Sequence, residues 1–166
     1  MEEEFELAGA YVAGVIDGGS SITAVVWKQK SALLGYEIRP QVSLQRQNEE
    51  VLYVIDDWAR EHGVRGRIEE KSDSTMWTLE NREDVRTFLQ ALQPYLIVND
   101  NVANLVLEEL LPRLEAGTHR TKEGFLETME YVDMIRDEAA VSQRKYDREY
   151  FEELWEDEIS NRQSSL

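Results

Sequence analysis

Between Asn48 and Gly63 the apolar positions Leu52, Ile55, Trp58 and Ala59 recur at three- and four-residue intervals, with polar residues between them. That spacing predicts a helix with one buried face, and Asn48 is placed to cap its first N–H groups. A different rhythm precedes it. "SITAVVWKQK" is rich in β-branched residues, and in "YEIRPQVSLQRQ" Ile38, Val42 and Leu44 fall on one side of an alternating run, so both predict strands. "ALLG" is their hairpin connection. The cycle then repeats: "RGRIEEK" and "STMWTLE" predict two more strands, and Asn81 caps the helix "REDVRTFLQALQPYL". A helix from Glu6 to Asp17, stopped by Gly18 and Gly19, precedes all of this, and helices near 102–114 and 122–137 follow it.

The resulting order, αββαββα with added helices, has no βαβ alternation and no Gly-rich nucleotide-binding turn. It predicts an α+β fold with one four-stranded antiparallel sheet, helices on one face and the other face free. Residues 1–140 form the expected domain. Residues 141–166 form a charged helix or tail that docks through Tyr150, Phe151 and Trp155 and frays into "NRQSSL".

Charge complicates the reading of the free face. The chain has 34 acidic against 18 basic residues in 166, net −16, which argues at first sight against a polyanionic partner. The same excess is a device of proteins in concentrated salt, a halophilic trait. Its distribution is uneven. From Ser21 to Gln47 the cations Lys28, Lys30, Arg39 and Arg46 oppose only Glu37, whereas "DDWARE", "LEEL" and "EYFEELWEDE" hold the acids. The absence of cysteine excludes disulfides and thiolate chemistry. With no signal-peptide pattern and no apolar run of roughly 18 residues, the expectation is a cytoplasmic protein with no membrane partner. His62 and His119 lack ligand spacing and read as surface residues in turns.

Strand alternation assigns the outer face. With Ile22, Ala24 and Val26 inward, Thr23, Val25, Trp27 and Gln29 point out, flanked by Lys28 and Lys30; Glu37, Arg39, Gln41, Ser43 and Gln45 follow on the next strand. The second pair adds Arg67, Glu69 and Lys71, then Met76 and Thr78. Arginine and glutamine are the natural readers of guanine and adenine edges, and apolar groups can meet thymine methyls. In the first helix Ala10, Ala13, Gly14 and Asp17 form one stripe of mostly small residues. Such a stripe lets another helix approach closely, either the chain's own core or a two-fold copy.

The stretch "VAGVIDGGS", Val12 to Ser20, resembles the signature of the LAGLIDADG homing endonucleases in their single-motif, homodimeric branch. "GVRGRI", "FLQALQPYLIVNDNVANLVLE" and "FLETMEYVDMI" are also similar to the family, so the resemblance covers residues 1–140. It implies two motif helices packed at a two-fold axis and two sheets forming a saddle in the DNA major groove over a long pseudo-palindromic site. It also implies an acidic residue at the foot of each motif helix holding a divalent metal, usually Mg2+, for strand hydrolysis. Paired carboxylates there can hold ions that activate water and stabilise the leaving oxygen.

The departure falls on that acidic residue. Asp17 matches the structural first aspartate of the signature, and Gly19 stands where the metal ligand belongs. A metal, if held, would have to use Asp17 as a substitute with the Gly18 backbone. The family's lysine beside the scissile phosphate has Asn99 as counterpart, and its water-ordering glutamine has either Gln45 or Gln47. The resemblance therefore implies a double-stranded-DNA-binding homodimer with cleavage lost or impaired and no cofactor. The alternatives are an active Mg2+-dependent endonuclease and a protein-interaction scaffold built around Trp27 and Met76.

Overall fold

The computed structural model describes residues 2–141, 144–156 and 158. The chain begins with α1 (Glu2–Gly19), followed by the hairpin β1 (Ser21–Lys28) and β2 (Tyr36–Arg46), then α2 (Glu49–Glu61). A second hairpin, β3 (Arg67–Glu70) and β4 (Thr75–Leu79), leads to α3 (Arg82–Leu92) and a single 3-10 turn, Gln93–Tyr95. After it come α4 (Asp100–Asn104), a π-helical stretch Leu105–Leu110, α5 (Leu111–Ala116), α6 (Lys122–Glu138) and α7 (Arg148–Leu154). The four strands form one antiparallel sheet, as expected, and the structure sets their order as β1-β2-β4-β3. The last segment of the tail, 159–166, lies outside the described residues.

Local chemistry explains the boundaries. Asn48 accepts from the Glu50 N–H, and Asn81 from Glu83 and Asp84, so both expected caps form. Gly18 and Gly19 do not stop α1 ahead of themselves. The helix runs through both and closes at Ser20, whose N–H and hydroxyl both donate to the Ile16 carbonyl at 3.1 and 2.8 Å. The wide π turns fall just before Pro112, which has no N–H to give the preceding turn. Gly35 closes the first hairpin at φ +84, where a side chain would be strained.

One core lies between the sheet and the helices. Ile22, Ala24, Ile38, Val42, Leu44, Trp77 and Leu79 supply the sheet side; Leu52, Ile55, Trp58, Phe88 and Val106 are among those that face them. A second aromatic group closes the far end: Tyr36 of β2 packs edge-on against Tyr146 and Phe151, and Phe125 against Phe151 and Trp155. These contacts seat α7 on the body through Tyr150, Phe151 and Trp155.

Beneath β4 sits a buried anion. Asp56, 1 % exposed, accepts from the Trp77 indole N–H at 3.0 Å and the Gly66 N–H at 3.1 Å, and pairs with Arg60 at 2.8 Å. Gly66 must be glycine for a steric reason: a Cβ there would lie 2.0 Å from the Trp77 Nε1. Removing the acceptor leaves a buried donor, the Trp77 indole N–H, and a half-buried one, the Gly66 N–H, unmatched. Asp56→Ala is therefore expected to lower unfolding free energy by roughly 2–5 kcal/mol in urea titration, and Gly66→Ala to lower it as well by displacing the indole.

Candidate functional site

The foot of α1 is where the motif places its chemistry. Asp17 is fully engaged there. One oxygen accepts from the Ile97 N–H at 2.8 Å; the other accepts from the Asn99 N–H at 2.9 Å and the Asn99 side-chain amide at 3.1 Å. Burial alone would raise its pKa, but the backbone N–H groups of Ile97, Asn99 and Val98, with the Asn99 amide, outweigh this and hold it below the ordinary carboxylate value. Asp17 is thus a cap for the segment after α3, not a spare ligand. Asn99 is committed as well, since its amide also donates to the Ile16 carbonyl at 3.2 Å.

Gly19 offers a carbonyl, and that carbonyl is already taken. Arg46, the last residue of β2, donates from Nη1 to the Gly19 oxygen at 2.8 Å and to the Gln45 oxygen at 2.8 Å. A Cβ on Gly19 would stand 3.1 Å from Nη2 of the same guanidinium. Gln45 itself turns to Ser74, donating to its hydroxyl at 2.6 Å, while Gln47 is exposed in the loop before α2. Gly18 is exposed with no side chain to contribute. These groups do not fit a divalent cation: the near carboxylate is bound to N–H donors and the near carbonyl faces a cation. Among the described residues no group of three or more His, Asp or Glu side chains is placed to hold a metal.

The outer sheet face follows the expected alternation with three corrections. Thr23 and Thr78 lie on that side but are only 8 % and 4 % exposed. They are short residues, set in register with the longer Gln41 and Arg67. Lys28 is in register with Tyr36, which belongs to the aromatic group on the helix side, so it sits at the strand end and not on the outer face. Val25, Trp27, Gln41, Ser43 and Met76 are half-exposed, and Gln29, Lys30 and Lys71 lie in the exposed turns.

The outer arginines are organised by a residue the sequence reading did not single out. Glu80, just past β4, pairs with Arg39 at 2.8 Å and with Arg67 at 2.8 Å, and Arg67 also meets Glu69 at 3.2 Å. Arg39 stacks over the Trp27 ring at 4.5 Å, so Trp27 is covered rather than offered as a bare platform. The histidines differ from expectation too. His62 packs on Trp58, and His119 is half-buried in a cavity with Arg82, Arg120 and Glu37, its pKa lowered by burial and then by Arg82.

On α1, Ala10 and Gly14 are exposed together with Tyr11 and Gly18, whereas Ala13 is wholly buried in the chain's own core. The stripe therefore divides: Ala13 packs inward and Asp17 caps, while Ala10 and Gly14 face out. A Cβ on Gly14 or Gly18 would meet nothing within 4 Å.

Known proteins share this fold. The DNA endonuclease I-CreI of Chlamydomonas reinhardtii is 31% identical over 130 residues, spanning 75% of this chain and 74% of that protein. I-CvuI, solved in complex with the I-CreI target, matches with a TM-score of 0.82 at 19% identity over 93% of this chain and 96% of its own. The archaeal intron-encoded I-Vdi141I, complexed with DNA, matches at 0.75 and 22% identity over 88% and 92%. No family model matches the chain. The fold is that of the homing endonucleases. The chain belongs to the LAGLIDADG homing endonuclease family, in its single-motif type.

Asp17→Ala is expected to lower stability by roughly 1–2 kcal/mol, since the N–H groups of Ile97 and Asn99 lose their acceptor. The contribution has a definite pH sign. A lowered folded pKa means it is complete above 3.8, the ordinary value, and is lost as pH falls through the folded value. Urea titrations of the two proteins should therefore diverge at pH 7 and converge in acid.

Proposed function

We propose that this chain is a double-stranded-DNA-binding homodimer of its family whose strand-cutting chemistry is lost. The observation that carries the reading is the Gly19 carbonyl, which accepts from Arg46 where a metal-binding carboxylate would be required. The lost function is the hydrolysis, not the frame. Asp17 still caps the 97–99 segment, and the sheet face stays open and bears Arg39, Gln41, Arg67 and Met76.

DNA as partner is supported by the free cations at the rims of the sheet. Among the described residues Lys28, Lys30 and Lys71, at the hairpin ends, have no carboxylate at ion-pairing distance; on the helical side Arg86, Arg113 and Arg148 are paired, whereas Arg82, Arg120, Arg136 and Lys145 are not. Positive charge is therefore available at the rims of the sheet, and the acid excess is concentrated on the helices away from it. Arg39 and Arg67, held by Glu80, would exchange that partner for base edges on binding. I-CvuI and I-Vdi141I are DNA complexes, which supports DNA as the partner of this chain.

The two-fold partner is supported by the exposed half of α1. Ala10, Gly14 and Gly18 let a second copy of the helix approach closely, and Tyr11 beside Val54 of α2 adds apolar area. No described helix is long and apolar enough to cross a membrane.

Selection from a randomised duplex library in high potassium chloride tests the reading. A long pseudo-palindromic site should be retained and remain uncut with Mg2+; efficient cutting of it would establish an active enzyme instead. Gly14→Trp should break the close helix approach, giving a monomer in sedimentation and at least a tenfold loss of affinity for that duplex. A wild-type chain that sediments as a monomer on and off DNA would overturn the dimer.

A further inference from the structure

We propose that Arg46 is a phosphate anchor: at the foot of α1 it holds one backbone phosphate of the bound duplex, supplying locally the positive charge that a metal would have supplied. The inference rests on the DNA-binding reading above and adds the residue and the chemistry at its centre.

The geometry starts from the strand. Arg46 ends β2 in register with Thr75, so its side chain leaves the sheet at the point where α1 terminates. Two carbonyls, of Gly19 and Gln45, accept from the same Nη1, each at 2.8 Å. They fix the plane of the fork while leaving its other donors uncommitted. A guanidinium has five N–H donors in one plane, a geometry matched to the oxygens of a phosphate. The negative end of the α1 dipole holds the cation in place without neutralising it.

Capping of the helix end accounts for the Gly19 contact, and the Gln45 carbonyl belongs to Arg46's own strand; neither uses the remaining donors. Among the described residues no carboxylate lies within ion-pairing distance of Arg46, in a chain with 34 acids to 18 bases. Arg39, Arg60 and Arg67 each have one, whereas Arg65, Arg82, Arg120 and Arg136 share the lack with Arg46; what sets Arg46 apart is its place at the foot of α1. Nη2 also borders the space that glycine leaves vacant, 3.1 Å from where a Cβ would stand. An aspartate at position 19 would fill that space and pair with Arg46. The same glycine that removes the carboxylate thus keeps the guanidinium free for an external anion. In a two-fold dimer the two copies of Arg46 would each take one strand, on either side of the axis.

The test is the salt dependence of binding to the selected duplex, followed by fluorescence anisotropy in a potassium chloride series. Each phosphate contact contributes about 0.9 to the slope of log K against log salt, so losing one per chain should reduce its magnitude by about 1.8 per dimer. Arg46→Gln is expected to show that reduction, with a loss of affinity on the order of 10-fold or more that is equal for matched and mismatched sequences. Arg46→Lys should keep most of the slope. Arg148→Gln, whose partners are Glu130 and Glu152 on the helical side, should leave it unchanged. Gly19→Asp should weaken binding like Arg46→Gln, because the new carboxylate occupies the guanidinium. An unchanged slope for folded Arg46→Gln, with the wild type still binding, overturns the anchor and leaves the DNA reading intact. Absence of any wild-type binding removes both.

Discussion

Both oxygens of Asp17 are spent on the backbone of residues 97–99, and that tie sets the position of α1 against everything else. The helix is held again near its middle by a close approach: Gly9 admits the Tyr95 ring, to which a Cβ would come within 2.7 Å. With α1 clamped at both points to the segment after α3, Val12, Ala13 and Ile16 are driven into the core and Ala10, Gly14 and Gly18 are turned outward. The end of the helix is thereby delivered to the end of β2, where Arg46 meets it. A carboxylate that performs this structural service accepts N–H groups and cannot also stand free at the foot of the helix. Acidic chemistry there would have to come from position 19, and position 19 is glycine.

The electrostatics of the fold divide along the same line. On the helical side Arg113 and Arg148 are matched to glutamates one turn away, an arrangement that favours solubility more than stability. On the sheet side Glu80 gathers Arg39 and Arg67 into a small network, with Trp27 under Arg39. Such a network orders long side chains that would otherwise have to be ordered on binding, and it shields their charge until a stronger acceptor arrives. A net charge of −16 therefore says little about this face, because most of the acids are elsewhere.

Much of the architecture was legible from periodicity and punctuation. The alternation in "YEIRPQVSLQRQ" placed Ile38, Val42 and Leu44 inward, and Asn48 and Asn81 announced the helices they cap, because both signals come from neighbours along the chain. Family resemblance located Gly19 as the vacant position. Less was legible at the site. Arg46 was counted only as a charge, since alternation puts it on the Leu44 side, and nothing local reveals that a strand's last residue will reach a helix end 27 positions away. Thr23 and Thr78 were assigned to the outer face correctly but counted as reachable, and only the assembled fold decides how much of a short side chain is covered.

What the sequence by itself determined is the order and character of the elements, and the loss of a carboxylate from the motif. These depend on residue type and on spacings of two to four positions. The tertiary structure alone decided how the remaining polar groups are used. Asp17 serves as a cap, Asn99 steadies it, Glu80 joins two strands, Asp56 is buried under Trp77, and a guanidinium stands at the foot of α1. Hydrogen bonds and ion pairs act over about 3 Å in space, and the partners in most of these contacts lie far apart in the chain.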